Sequence, residues 1–360
     1  VKKRYVFLDI LRALAVAEMI HGHSLDGLLA VSLRDTAFFV NWTHIRGYTA
    51  PMFLFAAGFA FAIATLPRID AYIRFSKELV ARMQRLFLII LVGYFMYLPF
   101  FSLRKTILSI GSPEWYSFLS VDILRCIGVS LLILQIWIFF KPRRLITLGV
   151  FGVITILLPI LSPYAGENTL VLALPDFLRY YFVGSRFPLL HYSSYLLLGF
   201  LIGCLFNHGR RYWSVVSLGA ALVLVIAAQL LKLGHMLPNL QGFMIKGGII
   251  LLITVGLEKL EIVWERLPSV VKYFGRESLL VYVVHVVMIY GSVLNKGLHF
   301  YWGAILSYQQ VYLFVIWLLA TMFVLAYFWH KLKREHPQTA RGVKQTLIWS
   351  CLILFLLRPY

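Results

Sequence analysis

Charge is scarce in this chain. Only 14% of its 360 residues are Asp, Glu, Lys or Arg, and just 15 of them are acidic, where a soluble globular domain carries about 25% charged residues. Cysteine is scarce as well. Cys126, Cys204 and Cys351 all fall in apolar runs, so no structural disulfide is expected. There is no His-Glu-x-x-His, no paired cysteine and no carboxylate cluster of metal-binding type, which argues against a metal site. Low-complexity stretches are missing, and no loop is long enough to hold a separate soluble domain. These absences exclude disordered, collagen-like and disulfide-scaffold proteins. What is abundant is apolar surface: 61% hydrophobic residues, with nine Trp, twenty Tyr and twenty-eight Phe, and a mean hydropathy of +0.82. The chain reads as an all-α integral membrane protein.

A membrane span needs about 20 mostly apolar residues. Candidates lie at 6–29, 48–66, 84–103, 121–140, 144–161, 190–207, 213–231, 241–257, 278–294 and 309–330, with a shorter one at 344–358. The expected architecture is therefore a bundle of 10–11 transmembrane helices. It would form a single polytopic domain over 1–360, with an extra C-terminal helix at about 344–358. Pro67, Pro113, Pro142, Pro163, Pro188, Pro268 and Pro337 lie at or between these spans, as breakers should. The basic start Lys2-Lys3-Arg4 leads into the first span without a small-residue cleavage site, so that span is expected to stay in the membrane. Counted on alternate sides, Lys and Arg divide 22 to 9 in favour of the side holding the N-terminus, with Arg12, Arg125 and Lys246 inside spans. The bias places the N-terminus in the cytoplasm. It also accounts for the net charge of +19 as topology and contact with anionic lipid, not nucleic-acid binding.

The first span carries Asp9, Arg12, Glu18, His21, His23 and Asp26. An ionisable group at mid-bilayer costs roughly 2.5–3.5 kcal/mol on insertion scales, so the cluster calls for an explanation. At about 100° per residue, Asp9, Arg12, His23 and Asp26 share an arc about 100° wide, and Arg12 and His23 are separated by roughly 16 Å along the axis. Glu18 and His21 fall on the other side, placed to pair with each other or with a neighbouring helix. A cation toward the cytosol and an imidazole toward the outside suit a long anionic ligand whose reactive end meets the histidine. Asp26, three residues on, is a surface neighbour of His23 and a candidate to orient it. A purely structural network between helices explains the same pattern. Leu8-Asp9-Ile10-Leu11-Arg12 is echoed by Val121-Asp122-Ile123-Leu124-Arg125, entering from the opposite side as an inverted repeat would.

Leu8 to Arg12 followed by His23, an Arg-x10-His spacing, resembles the first helix of the transmembrane acyltransferases. That superfamily includes acyltransferase family three and the heparan-α-glucosaminide N-acetyltransferase-like proteins. His23-Ser24-Leu25-Asp26 is similar to the His-x-x-Asp of bacterial relatives of the latter. Thr49-Ala50-Pro51-Met52-Phe53-Leu54-Phe55-Ala56-Ala57-Gly58-Phe59 looks like their second-helix signature, and Asp122 to Gly128 like their fourth helix. Ser185-Arg186-Phe187-Pro188-Leu189-Leu190 with Gly199 and Gly203 resembles the sixth. Gly275-Arg276-Glu277-Ser278-Leu279-Leu280-Val281-Tyr282-Val283-Val284-His285 is similar to a late Gly-Arg-x-Ser-Leu-x-x-Tyr-x-x-His stretch. The resemblance runs from residue 5 to about 295. Two departures stand out. Arg12-Ala13 replaces the usual Arg-Gly, and the outer loop 30–47 offers His44 in a pattern unlike that of the lysosomal enzyme, whose catalytic histidine lies in that loop.

The resemblance implies acyl transfer, usually acetyl, from cytosolic acetyl-CoA to a hydroxyl or amine of a glycan or glycolipid outside the membrane. A bacterial inner membrane is the expected location, and a homodimer is compatible. His23 is the favoured general base or acyl carrier, with Asp26 and Arg12 beside it, and His44 is the alternative centre. Arg12, Arg125 and Lys246 are candidate donor-binding cations, with Asp122 placed to pair with Arg125. Ser278, Tyr282 and His285 form a stripe along which a pantetheine arm could pass, though a buried histidine can equally be a packing residue. Arg82, Arg85, Arg143 and Arg276 near the inner face are candidates for the coenzyme phosphates. His191, His235 and His299 lie near the outer surface without ligand spacing. The rival reading is a proton-coupled secondary transporter or exporter, which would also use ionisable residues at membrane depth.

Overall fold

The computed structural model describes residues 5–141, 143–209, 211–233, 237–266 and 269–358. Lys2, Lys3, Arg4, Pro142, His235 and Pro268 lie outside the described residues. In chain order the helices are α1 Val6–Leu28, α2 Ala37–Arg46, α3 Thr49–Thr65, α4 Lys77–Met96, α5 Leu103–Leu108, α6 Pro113–Leu119, α7 Ile123–Phe139, α8 Arg144–Leu161, α9 Thr169–Leu172 and α10 Asp176–Arg179. They continue with α11 Leu189–His208, α12 Trp213–Leu233, α13 Pro238–Lys259, α14 Glu261–Arg266, α15 Ser269–Arg276, α16 Ser278–Tyr290, α17 Leu298–Trp302, α18 Tyr308–Glu335 and α19 Pro337–Leu357. The only strands among the described residues are the two-residue β1 Gly291–Ser292 and β2 Asn295–Lys296, paired antiparallel. The fold is all-α and multi-pass.

Among the described residues, eight helices are long and apolar enough to cross a membrane, or nine if the bent pair Pro113–Leu119 and Ile123–Phe139 is one span. The count is lower than ten for two physical reasons. α1 has the length of a span, 23 residues, but carries Asp9, Arg12, Glu18 and Asp26. α16 is only 13 residues long, because Gly291 at φ 87° turns the chain into the β1–β2 hairpin before 294 is reached. The span expected at 84–103 is displaced to 77–96: Ser76 accepts from the Leu79 amide and starts the helix early, and Pro99 follows its end.

The chain forms two compact units. One comprises the described residues of Val1–Thr49, Met96–Phe118 and Leu260–Tyr360, and the other those of Ala50–Phe95 and Leu119–Lys259. In the first, α1 packs against α14, α15, α16 and α18, and α19 packs on α18 and α5. α15 and α16 run alongside α1: Arg276 pairs with Asp9 at the start, and Ile289 and Tyr290 meet Gly27 near the end. The approach at the start is tight, since a Cβ on Gly275 would overlap the Asp9 carbonyl oxygen. Glu277 then anchors this segment to α18, accepting from Lys333 Nζ at 2.6 Å and standing 2.9 Å from His330 Nδ1. In the second unit, α11 packs on α8 and α7, and α12 on α13. A Cβ on Gly58 of α3 would overlap the Leu196 carbonyl, and one on Gly199 would overlap that of Phe55. The glycines of the second- and sixth-helix motifs thus face each other across one backbone contact.

Candidate active site

α1 presents two polar faces about 100° apart, and each is covered by a different element. On one, Glu18, Gly22 and Asp26 follow each other at i, i+4 and i+8, and α2 lies over them. Trp42 Nε1 donates to Glu18 Oε1 at 2.9 Å, and Arg46 NH1 donates to Asp26 Oδ2. Gly22 makes room for both, lying within 3.6 Å of Trp42 and 3.4 Å of Arg46 by its virtual Cβ. Trp42 and Arg46 are themselves i, i+4 neighbours in cation–π contact at 5.2 Å. His21 adds to this cluster, 3.3 Å from Glu18 Oε2 and 3.3 Å from the Tyr312 hydroxyl of α18.

The other face carries Asp9, Arg12, His23 and Gly27. Asp9, 2% exposed, accepts from Arg276 Nε at 3.0 Å. Arg12 is half-buried, eleven residues before His23. His23 is also half-buried, and its ring meets that of His285 with centroids 5.4 Å apart and that of Tyr290 edge-on at 5.5 Å. The Tyr290 hydroxyl lies 3.4 Å from His23 Nδ1 and donates to the His23 carbonyl at 3.2 Å. His285 is fully buried, with Tyr282 on its other side at 6.0 Å. His299 Nδ1 donates to the Gly27 carbonyl at 2.6 Å, closing the cluster at the C-terminal end of α1.

Asp26 therefore sits about 60° around the helix from His23, and its carboxylate is taken up by Arg46. The group at His23 Nδ1 is the Tyr290 hydroxyl, which the sequence reading did not anticipate. Tyr290 lies five residues after His285, off the stripe of Ser278, Tyr282 and His285, so only the crossing of α1 and α16 at Gly27 brings it in. Arg46 had a signal, the Trp42–Arg46 spacing on one face of α2. His44 is on the exposed side of that helix. Ser278 is half-buried at the first turn of α16.

Arg125 and Lys246 belong to the second unit. Asp122 caps α7, accepting from the Arg125 amide at 3.0 Å and from its Nε at 2.9 Å. Arg125 is completely buried, lies over the Tyr94 ring at 4.5 Å, and also donates to the Ser120 carbonyl. The echoed Asp-x-x-Arg thus has two different outcomes: in α7 the pair closes on itself, while in α1 Asp9 reaches across to α15. Lys246 is half-buried in α13. Arg82 is held by Thr65 and Gln135 at 2.8 and 2.9 Å and lies over the Tyr72 ring at 3.4 Å, whereas Arg85 and Arg143 are exposed. No group of three or more His, Cys, Asp or Glu able to hold a metal exists among the described residues.

Compared with known families, the chain matches the one described as heparan-alpha-glucosaminide N-acetyltransferase, catalytic, over residues 4–238. No curated protein matches it.

Proposed function

The chain belongs to the heparan-α-glucosaminide N-acetyltransferase catalytic family, and from that premise we propose that this membrane acetyltransferase takes its acetyl group from cytosolic acetyl-CoA and delivers it to an amine or hydroxyl of an extracytoplasmic glycan or glycolipid. A bacterial inner membrane is the setting proposed for it. The observation that carries the reading is the polar face of α1, with Arg12 in its first half and His23 against His285 and Tyr290 in its second; the proposed orientation puts the first half toward the cytosol. A cation at the entry and an imidazole roughly 16 Å further along match an extended donor with its phosphates at one end and its thioester at the other. His23 acts as general base, removing the acceptor's proton as its oxygen or nitrogen attacks the thioester carbonyl carbon. Arg12 attracts the anionic donor. Ser278 and Tyr282, at the start of α16, line the approach.

The test is turnover of radiolabelled acetyl-CoA by the purified full chain, with glucosamine as the probe amine. Arg12→Ala should raise the KM for acetyl-CoA, and His23→Ala should cut kcat by about 10²–10⁴-fold. Acetyl transfer that survives His23→Ala and disappears in His44→Ala would move the chemistry to the exposed histidine of α2. A well-folded protein that neither binds nor turns over acetyl-CoA would sink the proposal in favour of transport.

A further inference from the structure

The second unit holds a cavity of about 370 Å³ that the proposed chemistry does not use. Four segments bound it: the turn Leu66–Ala71 after α3, the end of α7, the first turn of α8 and the last turn of α11. Since α3, α7 and α11 end there and α8 begins there, the cavity is at one membrane face, the one to which the basic bias assigns the cytosol. Its lining is mainly apolar, from Leu66, Pro67, Ile69, Ile138, Leu148 and the buried Cys204. The polar remainder is small and basic. Arg144 and His208 contribute to it, with Asn207 and Thr147. Thr147 is already occupied, accepting from Trp137 Nε1 at 3.1 Å, and Asn207 gives one amide N–H to the Ala62 carbonyl at 3.1 Å and keeps the other.

The Arg144 guanidinium, by contrast, has neither an ion pair nor a hydrogen bond among the described residues. Arg68, Arg143 and Arg211, chain neighbours of the lining residues, are exposed and form no ion pair among the described residues either. The carboxylate of that turn, Asp70, is taken by Lys141 at 2.9 Å. A permanent cation beside an apolar recess fits an amphiphile with an anionic head, and basic pockets between transmembrane helices at the cytoplasmic face bind such headgroups. A soluble nucleotide would also need partners for its base and sugar, and beyond the two basic groups the lining offers only Asn207. The adjoining Phe140, Leu145 and Ile146 are strongly exposed, an apolar flank suited to acyl chains. We propose that this cavity among α3, α7, α8 and α11 binds the phosphate headgroup of an anionic phospholipid, with Arg144 as the anchoring cation. His208 and Asn207 add hydrogen bonds to the phosphate and glycerol oxygens, and the chains leave over the exposed apolar side of α8. At the small end of ligand pockets, about 300–1,000 Å³, the cavity takes the headgroup and the start of the chains. None of these residues is assigned to acyl transfer, so the site stands or falls separately from that reading.

The test is native mass spectrometry of the purified full chain in detergent, titrated with phosphatidylglycerol and with phosphatidylcholine of the same acyl chains. The wild type should retain one phosphatidylglycerol saturably. Arg144→Gln should weaken that binding at least about 10-fold, through loss of the charge-assisted hydrogen bonds to phosphate. Leu148→Trp, which fills the cavity and keeps the charge, should weaken it as well. Arg341→Gln, which removes an exposed cation from α19, should leave it nearly unchanged. Equal retention of phosphatidylcholine, or binding untouched by both cavity variants, would show an unspecific lipid annulus and overturn the site. Glycerol 3-phosphate and acetyl-CoA are the soluble probes. Arg144-dependent binding of either, as tight as that of the lipid, would give the cavity to a soluble phosphate and overturn the lipid assignment.

Discussion

At the scale of single residues, exposure decides which ion pairs on α1 matter. Asp9 and Arg276 have side chains 3% and 20% exposed, whereas Asp26 and Arg46 are each 36% exposed. Removing one partner of a buried pair costs about 3–5 kcal/mol, because the remaining charge has lost its compensation, while a surface pair is worth about 0–1 kcal/mol. Arg276→Met should therefore lower unfolding stability by several times as much as Arg46→Met, as measured by denaturant unfolding in detergent micelles. Equal effects would show that Asp9 does not depend on Arg276. The sequence made the polar residues of α1 visible as a group, but the division into two faces was harder to see. An arc of about 100° admits Asp26 to the face of His23 or to that of Glu18, and the choice is made by Trp42 and Arg46 of α2, contacts that periodicity within α1 cannot show. Tyr290 was out of reach for the same reason: its separation from His23 is 267 residues.

Among the elements, the family-like motifs turn out to be largely contact surfaces. Gly58 and Gly199 mark where α3 and α11 touch backbone to backbone, and Gly275 marks where α15 meets α1. Gly256, in the same class of apolar helix, has nothing within 4 Å of a virtual Cβ. Replacing Gly199 by Ala should therefore prevent α3 and α11 from closing and markedly lower thermal stability. Gly256→Ala should be neutral or stabilising by up to about 1 kcal/mol, from helix propensity alone. Comparable melting losses in the two variants would contradict the close approach. Most of the helices were legible as long apolar runs, because a span must satisfy its own backbone and so cannot hide in irregular structure. Less legible were α2, α5 and α6, short helices in polar or mixed stretches whose existence depends on what they pack against. The seven-residue displacement of α4 belongs here too, since Ser76 as a cap outweighs the hydropathy average that placed the span later.

For the whole molecule, the basic residues predict the orientation and the structure supplies convenient reporters. Asp70, with a side chain 73% exposed, follows α3 on the side expected to be cytosolic, and the exposed Glu167 lies on the opposite side. In a Cys351→Ser background, with Cys126 and Cys204 buried, a membrane-impermeant maleimide should label Glu167→Cys in intact cells and Asp70→Cys only in inverted vesicles. The reverse pattern would invert the topology and place Arg12 on the wrong side for a cytosolic donor.

The Asp9–Arg276 pair has a consequence for how the protein is made. The two residues are 267 positions apart, and chains grow at about 5–20 residues per second, so α1 leaves the ribosome on the order of 10–50 s before Arg276 exists. During that interval a helix with two aspartates, a glutamate and an arginine has to be accommodated without α15, α16 or α18. Assembly of the first unit thus depends on segments made far apart in time, and a chain cut short after Lys259 would leave α1 waiting for partners that never arrive.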